Sequence, residues 1–284
     1  MPEEIAKGIR PAGKRVECMV IQEMGARKAL ARGRRIVREM LAAAREMRRE
    51  PVPLSELILG TECGGSDYTS GLASNPAVGA ASDRLVAEGG TVLLSETPEL
   101  IGAEQMLARR AVNDEVRRRI YEITAATEQL ALKAGVDIRN SEPSPGNKAG
   151  GLTTLEEKSL GAILKGGTSP IRQVVGYAER PTEAGLVIMD SPAHDAVCNT
   201  GMIAGGAQLI LFTTGRGTPL GAPTVPVVKI SSNSGLYRRM ADNIDMDAGT
   251  ILEGAATVEE LGEKLFQEIV AVASGRLTKA ELLG

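Results

Sequence analysis

Short apolar runs bounded by glycine, proline and small polar residues alternate along this chain with longer stretches in which apolar positions recur every three or four residues. Arg15 to Ile21 (RVECMVI) reads as a strand. A helix over about Arg27 to Arg49 follows, with Leu30, Val37, Leu41 and Ala44 on one face and six arginines on the others. Pro51 and Pro53 then interrupt the chain and mark a boundary. Beyond it Leu57–Gly60 predicts a strand, Ala77–Glu88 a helix stopped by Gly89-Gly90, and Thr91–Ser95 a second strand. That spacing is a βαβ unit with parallel strands. Mostly helical sequence runs from Thr97-Pro98 to about Lys133, with Asn113 or Asp114 as a cap and Val116, Ile120, Ile123 and Leu130 as its inner face. Gly135 to Gly151 reads as loop. A second βαβ unit begins at Leu186: strand to Asp190, loop, a short helical piece over Met202–Gly206 and a strand over Gln208–Phe212. Val225–Ile230 supplies one more strand, and Val258–Ala273 a helix with Leu261, Leu265, Ile269 and Val272 turned inward. The fold class is α/β: a layered, mostly parallel, Rossmann-like sheet with flanking helices.

Composition narrows the function more than the fold. A net charge of −3 gives no general attraction to nucleic acid or anionic lipid. Glu39, Glu46 and Glu50 interleave with the helix arginines, so that surface reads as a solvated face. Four Tyr, two Phe and no Trp leave no stacking platform for single-stranded nucleic acid. Three well-separated cysteines argue against a disulfide framework and for a reducing compartment. The N-terminus has no signal-like apolar core, and no run approaches the ~20 apolar residues of a membrane span, so a cytoplasmic protein is expected. With one histidine, His194, a zinc site of clustered histidines and cysteines is excluded.

Three loops follow predicted strands, where ligands gather in open parallel sheets: Thr61–Pro76, Ser191–Gly201 and Thr213–Gly221. The first packs Glu62, Cys63, Ser66 and Asp67 around Gly64-Gly65, whose freedom in φ lets backbone N–H groups approach a small ligand. Cys63 reads as a nucleophile, a metal ligand or a buried thiol. Glu62 and Asp67 read as cation ligands, acid and base, or a helix cap. His194 beside Asp195 reads as a base or ligand, or as a structural hydrogen-bonding group. Arg216, between two glycines, suits a carboxylate or phosphate. Neither GxGxxG nor GxxxxGK[ST] occurs, so no nucleotide fingerprint is present.

Four long blocks say more. TECGGSDYTSGLASNPAVGAASDRLV, LLSETPELIGAEQMLARRAV, SPGNKAGGLTTLEEKSLGAILKGGT and GMIAGGAQLILFTTGRGTPLG closely resemble the altronate and galactarate dehydratase family of sugar-acid hydro-lyases, and the resemblance runs from about Ile5 to the C-terminus. It implies loss of water from a polyhydroxy acid to give a 2-keto-3-deoxy acid, assisted by a divalent metal, iron(II) first and manganese(II) second. Glu62, Cys63 and Asp67 match the family's glycine-rich block and are expected at the metal; Lys158 and Asp190, in matching blocks, are expected in catalysis together with His194, which is chosen from its loop and not from the resemblance; and Gly64, Gly65, Ser66, Asn147, Thr200 and Arg216 are expected around the substrate. His194 stands where many relatives have tyrosine. The family's small β-rich N-terminal domain and the first strands of its next domain have no counterpart here. Residues 1–50 are therefore expected to be the remnant of a preceding α/β domain, and residues 51–284 a whole C-terminal one. An N-terminal companion domain or subunit and a homo-oligomer are the expected partners. Two other functions compete: a C–S lyase of the sulfolactate type, and a non-catalytic binding or assembly subunit.

Overall fold

The computed structural model describes residues 2–283, which divide after Val52 into two compact units. The first is helical. Its main element is α1 (Ala26–Arg45), of which Ala29 and Ile36, two turns apart, are buried while Leu30, Val37 and Leu41 remain exposed. The strand expected over Arg15–Ile21 does not form: that stretch is irregular and runs into a helical turn, Ile21–Met24. No other described residue of this unit is in a strand, so the segment has no ladder to join.

The second unit is built on seven parallel strands: β1 (Ile58–Cys63), β2 (Thr91–Leu94), β3 (Ile171–Val175), β4 (Gly185–Met189), β5 (Leu209–Thr214), β6 (Val227–Ser231) and β7 (Met246–Asp247), in the order β3-β4-β2-β1-β5-β6-β7. The chain leaves β1 toward β2 on one side and later returns to place β5 on the other. The order therefore reverses at β1, and the carboxyl end of β1 is the position at which such sheets bind ligands. Period-2 alternation sets the two layers. Leu59, Val92, Leu94, Leu186, Leu211 and Val228 face one way, into a core with α2 (Ser74–Ala87), α3 (Asp114–Lys133) and α6 (Val258–Ala273). Ile58, Leu93, Val187, Ile210 and Phe212 face the other, toward Cys198 and Met202 of α5 (Asp195–Ala204). A further helix, α4 (Leu155–Ala162), continues into a 3-10 turn over Ile163–Gly166.

Two strands escape the sequence reading. β3 is an edge strand with a bulge and only two fully buried positions, and β7 is two residues long. The helix predicted from Met202 starts at Asp195, because Asp195, Cys198, Asn199 and Met202 form a helical stripe inside what reads as a polar loop.

Candidate active site

At the end of β1 the pleat separates neighbours. Cys63 points to the α2 and α4 side, whereas Glu62 points toward α5. These two predicted metal ligands therefore do not meet.

On the Cys63 side the structure assembles buried charge. Glu96, directly after β2, accepts from the Cys63 backbone N–H at 3.0 Å and from Lys165 Nζ at 2.7 Å. Lys165 also donates to Cys63 Sγ at 2.8 Å, and the Cys63 thiol donates to Glu99 Oε2 at 2.9 Å. Lys158 Nζ lies 3.4 Å from Glu99 Oε1 and donates to Glu142 Oε2 at 2.9 Å. Lys165 is wholly buried, and Glu96 and Glu99 nearly so. Burial opposes charge on both lysines, but the facing acids outweigh it and hold both ammoniums charged. Burial, then Glu99, pushes the Cys63 thiol well up, so it stands protonated. Burial and Glu99 raise Glu96 to about 7, against the pull of Lys165. Glu99 resists burial because Lys165 and Lys158 flank it, and its carboxyl is held below the ordinary range. Glu96 also carries a left-handed backbone, φ 69°, unusual for a side chain and a mark of locally stored strain.

The array reaches solvent through a cavity of about 300 Å³ whose lining includes the polar Cys63, Ser66, Asp67, Asn75 and Lys158 and the apolar Leu152, Gly161 and Leu164. Gly71 and Gly161 let two backbones touch at its wall, where a Cβ on Gly71 would sit 2.9 Å from the Gly161 Cα. Cys63 and Lys158 are the two members of the charge array on this surface.

Asp67, expected at a metal, organises the loop. Its Oδ1 accepts the backbone N–H groups of Thr69 and Ser70 at 2.9 and 3.1 Å and the hydroxyls of Thr69, Ser70 and Ser232. Gly215 must lack a side chain there, since its Cβ would fall 2.2 Å from Asp67 Cγ. Gly65 takes φ 61° and its carbonyl receives the Arg216 N–H at 2.9 Å. The exposed Arg216 guanidinium lies against Gly146 and makes no ion pair among the described residues. Asn147 donates to the Ser66 carbonyl at 2.9 Å, tying the Pro145–Ala149 turn to the loop.

Asp190, His194 and Thr200 do not line this cavity. Asp190 accepts from Thr97 at 2.6 Å, His194 is exposed at the start of α5, and Thr200 bonds the Ala196 carbonyl within its own helix. The residues that sequence reasoning missed are Glu96, Glu99 and Lys165. One signal was available: two glutamates three apart in SETPE, immediately after a strand.

Among the described residues Cys63, Glu96 and Glu99 form a buried group whose ligand atoms all lie within 4.8 Å of one another and could hold a metal ion. A thiolate with two carboxylates suits a borderline divalent ion. The Lys165 ammonium stands among these donors, so an ion taking them would displace it.

Comparison with known sequences adds to this geometry. Residues 54–284 match the model for D-galactarate/altronate dehydratase, C-terminal. The chain is similar to galactarate dehydratase (L-threo-forming) of Escherichia coli, 46% identical over 85% of this chain and 46% of the relative. It is similar to altronate dehydratase of Bacillus subtilis, 42% identical over 87% of this chain and 49% of the relative. It is also similar to the (2R)-sulfolactate sulfo-lyase subunit beta of Chromohalobacter salexigens, 39% identical over 99% of this chain and 73% of the relative. The chain thus spans about half the length of the two dehydratases. No helix among the described residues is long and apolar enough to cross a membrane.

Proposed function

The chain belongs to the D-galactarate/altronate dehydratase family through its C-terminal domain, and from that premise we propose that it carries the chemical centre of a hydro-lyase that removes water from a polyhydroxy sugar acid. The observation that carries this reading is the Cys63-Lys165-Glu96-Glu99-Lys158 array opening onto one cavity.

Elimination next to a carboxylate needs three things: a cation for the carboxylate and the enediolate it becomes, an acceptor for the α-proton, and a donor for the departing β-hydroxyl. Lys158, charged and at the wall, supplies the local cation and the proton donor. Cys63 is the other residue at the wall; its protonated thiol passes its own proton to the ionised Glu99 at 2.9 Å as the sulfur, held by Lys165 at 2.8 Å, takes the α-proton, so the α-proton enters the array there and Glu99 is its final acceptor. Ser66 lines the cavity, Gly64 and Gly65 lie outside its lining and carry the loop, and Arg216, also outside the lining, offers an unpaired guanidinium to a distal carboxylate. The product is a 2-keto-3-deoxy acid. Cys63, Glu96 and Glu99 would alternatively hold iron(II) or manganese(II) in place of the Lys165 ammonium, and that ion would supply Lewis-acid stabilisation of the enediolate, with Cys63 and Glu99 then ligands rather than the proton relay.

A second reading is favoured by the alignment that spans nearly the whole chain: C–S cleavage of a sulfolactate-like acid, which shares the α-proton step and differs in the leaving group. That relative is a subunit, and the dehydratases are twice as long, which supports a companion domain or subunit for this chain. The test is anaerobic turnover with aldonates, aldarates and sulfolactate, by the chain alone and with a companion, detecting keto-deoxy acid or sulfite. A folded chain that converts none of them in either form overturns the proposal.

A further inference from the structure

The α5 side of β1 holds a second polar cluster that the reaction proposed above does not use. α5 lies along β1. At one end the Asp195 carboxylate covers Gly64, with Oδ2 2.5 Å from where a Gly64 Cβ would be; at the other, Met202 Sδ is 2.9 Å from where a Gly60 Cβ would be. Glu62 lies midway between these glycines on the same face of the strand. It therefore faces the turn midway between Asp195 and Met202, which carries Asn199.

This cluster is unsatisfied. Glu62 is 0% exposed and neither carboxylate oxygen has a partner. Asn199 is 3% exposed and neither its oxygen nor its nitrogen has one. Asp195, half-buried, makes no hydrogen bond or ion pair among the described residues. On β5 the register partner of Glu62 is Phe212, which offers no hydrogen bond. A buried carboxylate and amide left this way cost several kcal/mol between them unless something binds them. All the donors are oxygens, burial and then Glu96 and Asp195 push the Glu62 carboxyl well up, so that a bound cation would have to displace its proton, and half-buried Asp195 gives an entry path from solvent.

We propose that Glu62, Asp195 and the Asn199 side-chain oxygen bind a hard divalent cation, of the magnesium, calcium or manganese(II) kind, at the end of β1 on the face opposite the Cys63 array. Hard cations take carboxylate and amide oxygens and complete their shells with water. The site anchors α5 to the central strand and does not depend on the dehydratase reading.

The test is thermal unfolding of the whole chain after chelation and dialysis, with manganese(II), magnesium or calcium added back. The wild type should gain several degrees with at least one of them. Glu62→Gln should abolish that gain and Asp195→Asn should weaken the affinity at least tenfold, while Cys63→Ser, which disables the other group, retains the gain. If Glu62→Gln does not fold, Asn199→Leu replaces it and should also lose the gain. Absence of any cation effect on the wild type, its persistence in Glu62→Gln or Asn199→Leu, or its loss in Cys63→Ser overturns the proposal, the first outcome meaning that buried water alone fills the site.

Discussion

Replacing Lys165 by methionine tests the charge array most directly. The side chain is wholly buried, and its ammonium is 2.7 Å from Glu96, 2.8 Å from Cys63 and 3.6 Å from Glu99. Methionine keeps most of the packing and removes the charge, leaving two buried carboxylates with only Lys158 near Glu99. Removing one member of a buried ion pair costs roughly 3–5 kcal/mol. For a domain of this size each kcal/mol moves Tm by about 2–4 °C, so the loss should be about 6–20 °C. Adding Glu96→Gln to Lys165→Met should recover a large part of it, since the stranded carboxylate is then gone, and the coupling read from that cycle should be strongly favourable in the wild type. The assay is urea and thermal unfolding of wild type, both single variants and the double variant in chelator. A Lys165→Met variant within about 1 kcal/mol of wild type, or a double variant no better than the single, would refute the view that Lys165 holds the array together.

Three further outcomes are expected. Glu96 has its proton affinity raised to about 7 in the folded chain from near 4.5 unfolded, so between those values the folded state keeps a proton that the unfolded state releases. Its contribution to stability therefore falls as pH rises through that window, and Glu96→Gln should flatten the fall, read from unfolding midpoints at a series of pH values. Gly215→Ala forces a methyl to within 2.2 Å of Asp67 Cγ and should cost about 1–3 kcal/mol by breaking the loop's hydrogen-bond hub, seen in Tm. Arg216→Ala, at an exposed guanidinium with no ion pair, should leave Tm unchanged yet lower kcat/KM about 10–150-fold on a dicarboxylic substrate, the worth of one charged hydrogen bond.

Alternation of apolar runs and turn residues was enough to place β1, β2, β4, β5 and β6 with α2, α3 and α6, because each is bounded by glycine, proline or a polar cap; α4 was not read, and only the end of α5 was. β3 and β7 were not legible: an edge strand buries too little to show a pattern, and two residues show none. The glycine-rich loop was legible as a site because Gly64, Gly65 and Cys63 follow a strand. The array behind it was not, because nothing in the sequence around Lys165 singles it out until the fold brings Glu96 and Glu99 from another loop to meet it. Glu62 and Cys63 look like partners in sequence, and only the pleat shows that they face opposite layers. Asp67 read as a ligand, an acid or base, or a helix cap; that it is also a turn hub, with three hydroxyls, one of them from Ser232, on its Oδ1, was not legible because Ser232 is brought to it only by the fold.

The two candidate reactions separate at Lys158. Both begin with loss of the α-proton, so both need the carboxylate and enediolate neutralised, and removing the Lys158 ammonium weakens both. They part at the leaving group. Hydroxide leaves only if protonated, whereas sulfite leaves as a stable anion and needs no proton. Lys158→Met should therefore cost a sugar-acid dehydration the electrostatic term and, in addition, the general-acid term of about 10²–10⁴ in kcat. On a sulfolactate-like substrate only the first loss applies. With wild-type and Lys158→Met protein assayed on both substrate classes, a deficit at least a hundredfold larger on the hydroxy acid assigns Lys158 as the proton donor to the departing hydroxyl. Equal deficits on the two classes would reduce Lys158 to a charge that holds the carboxylate, and would move the donor elsewhere in the assembled protein.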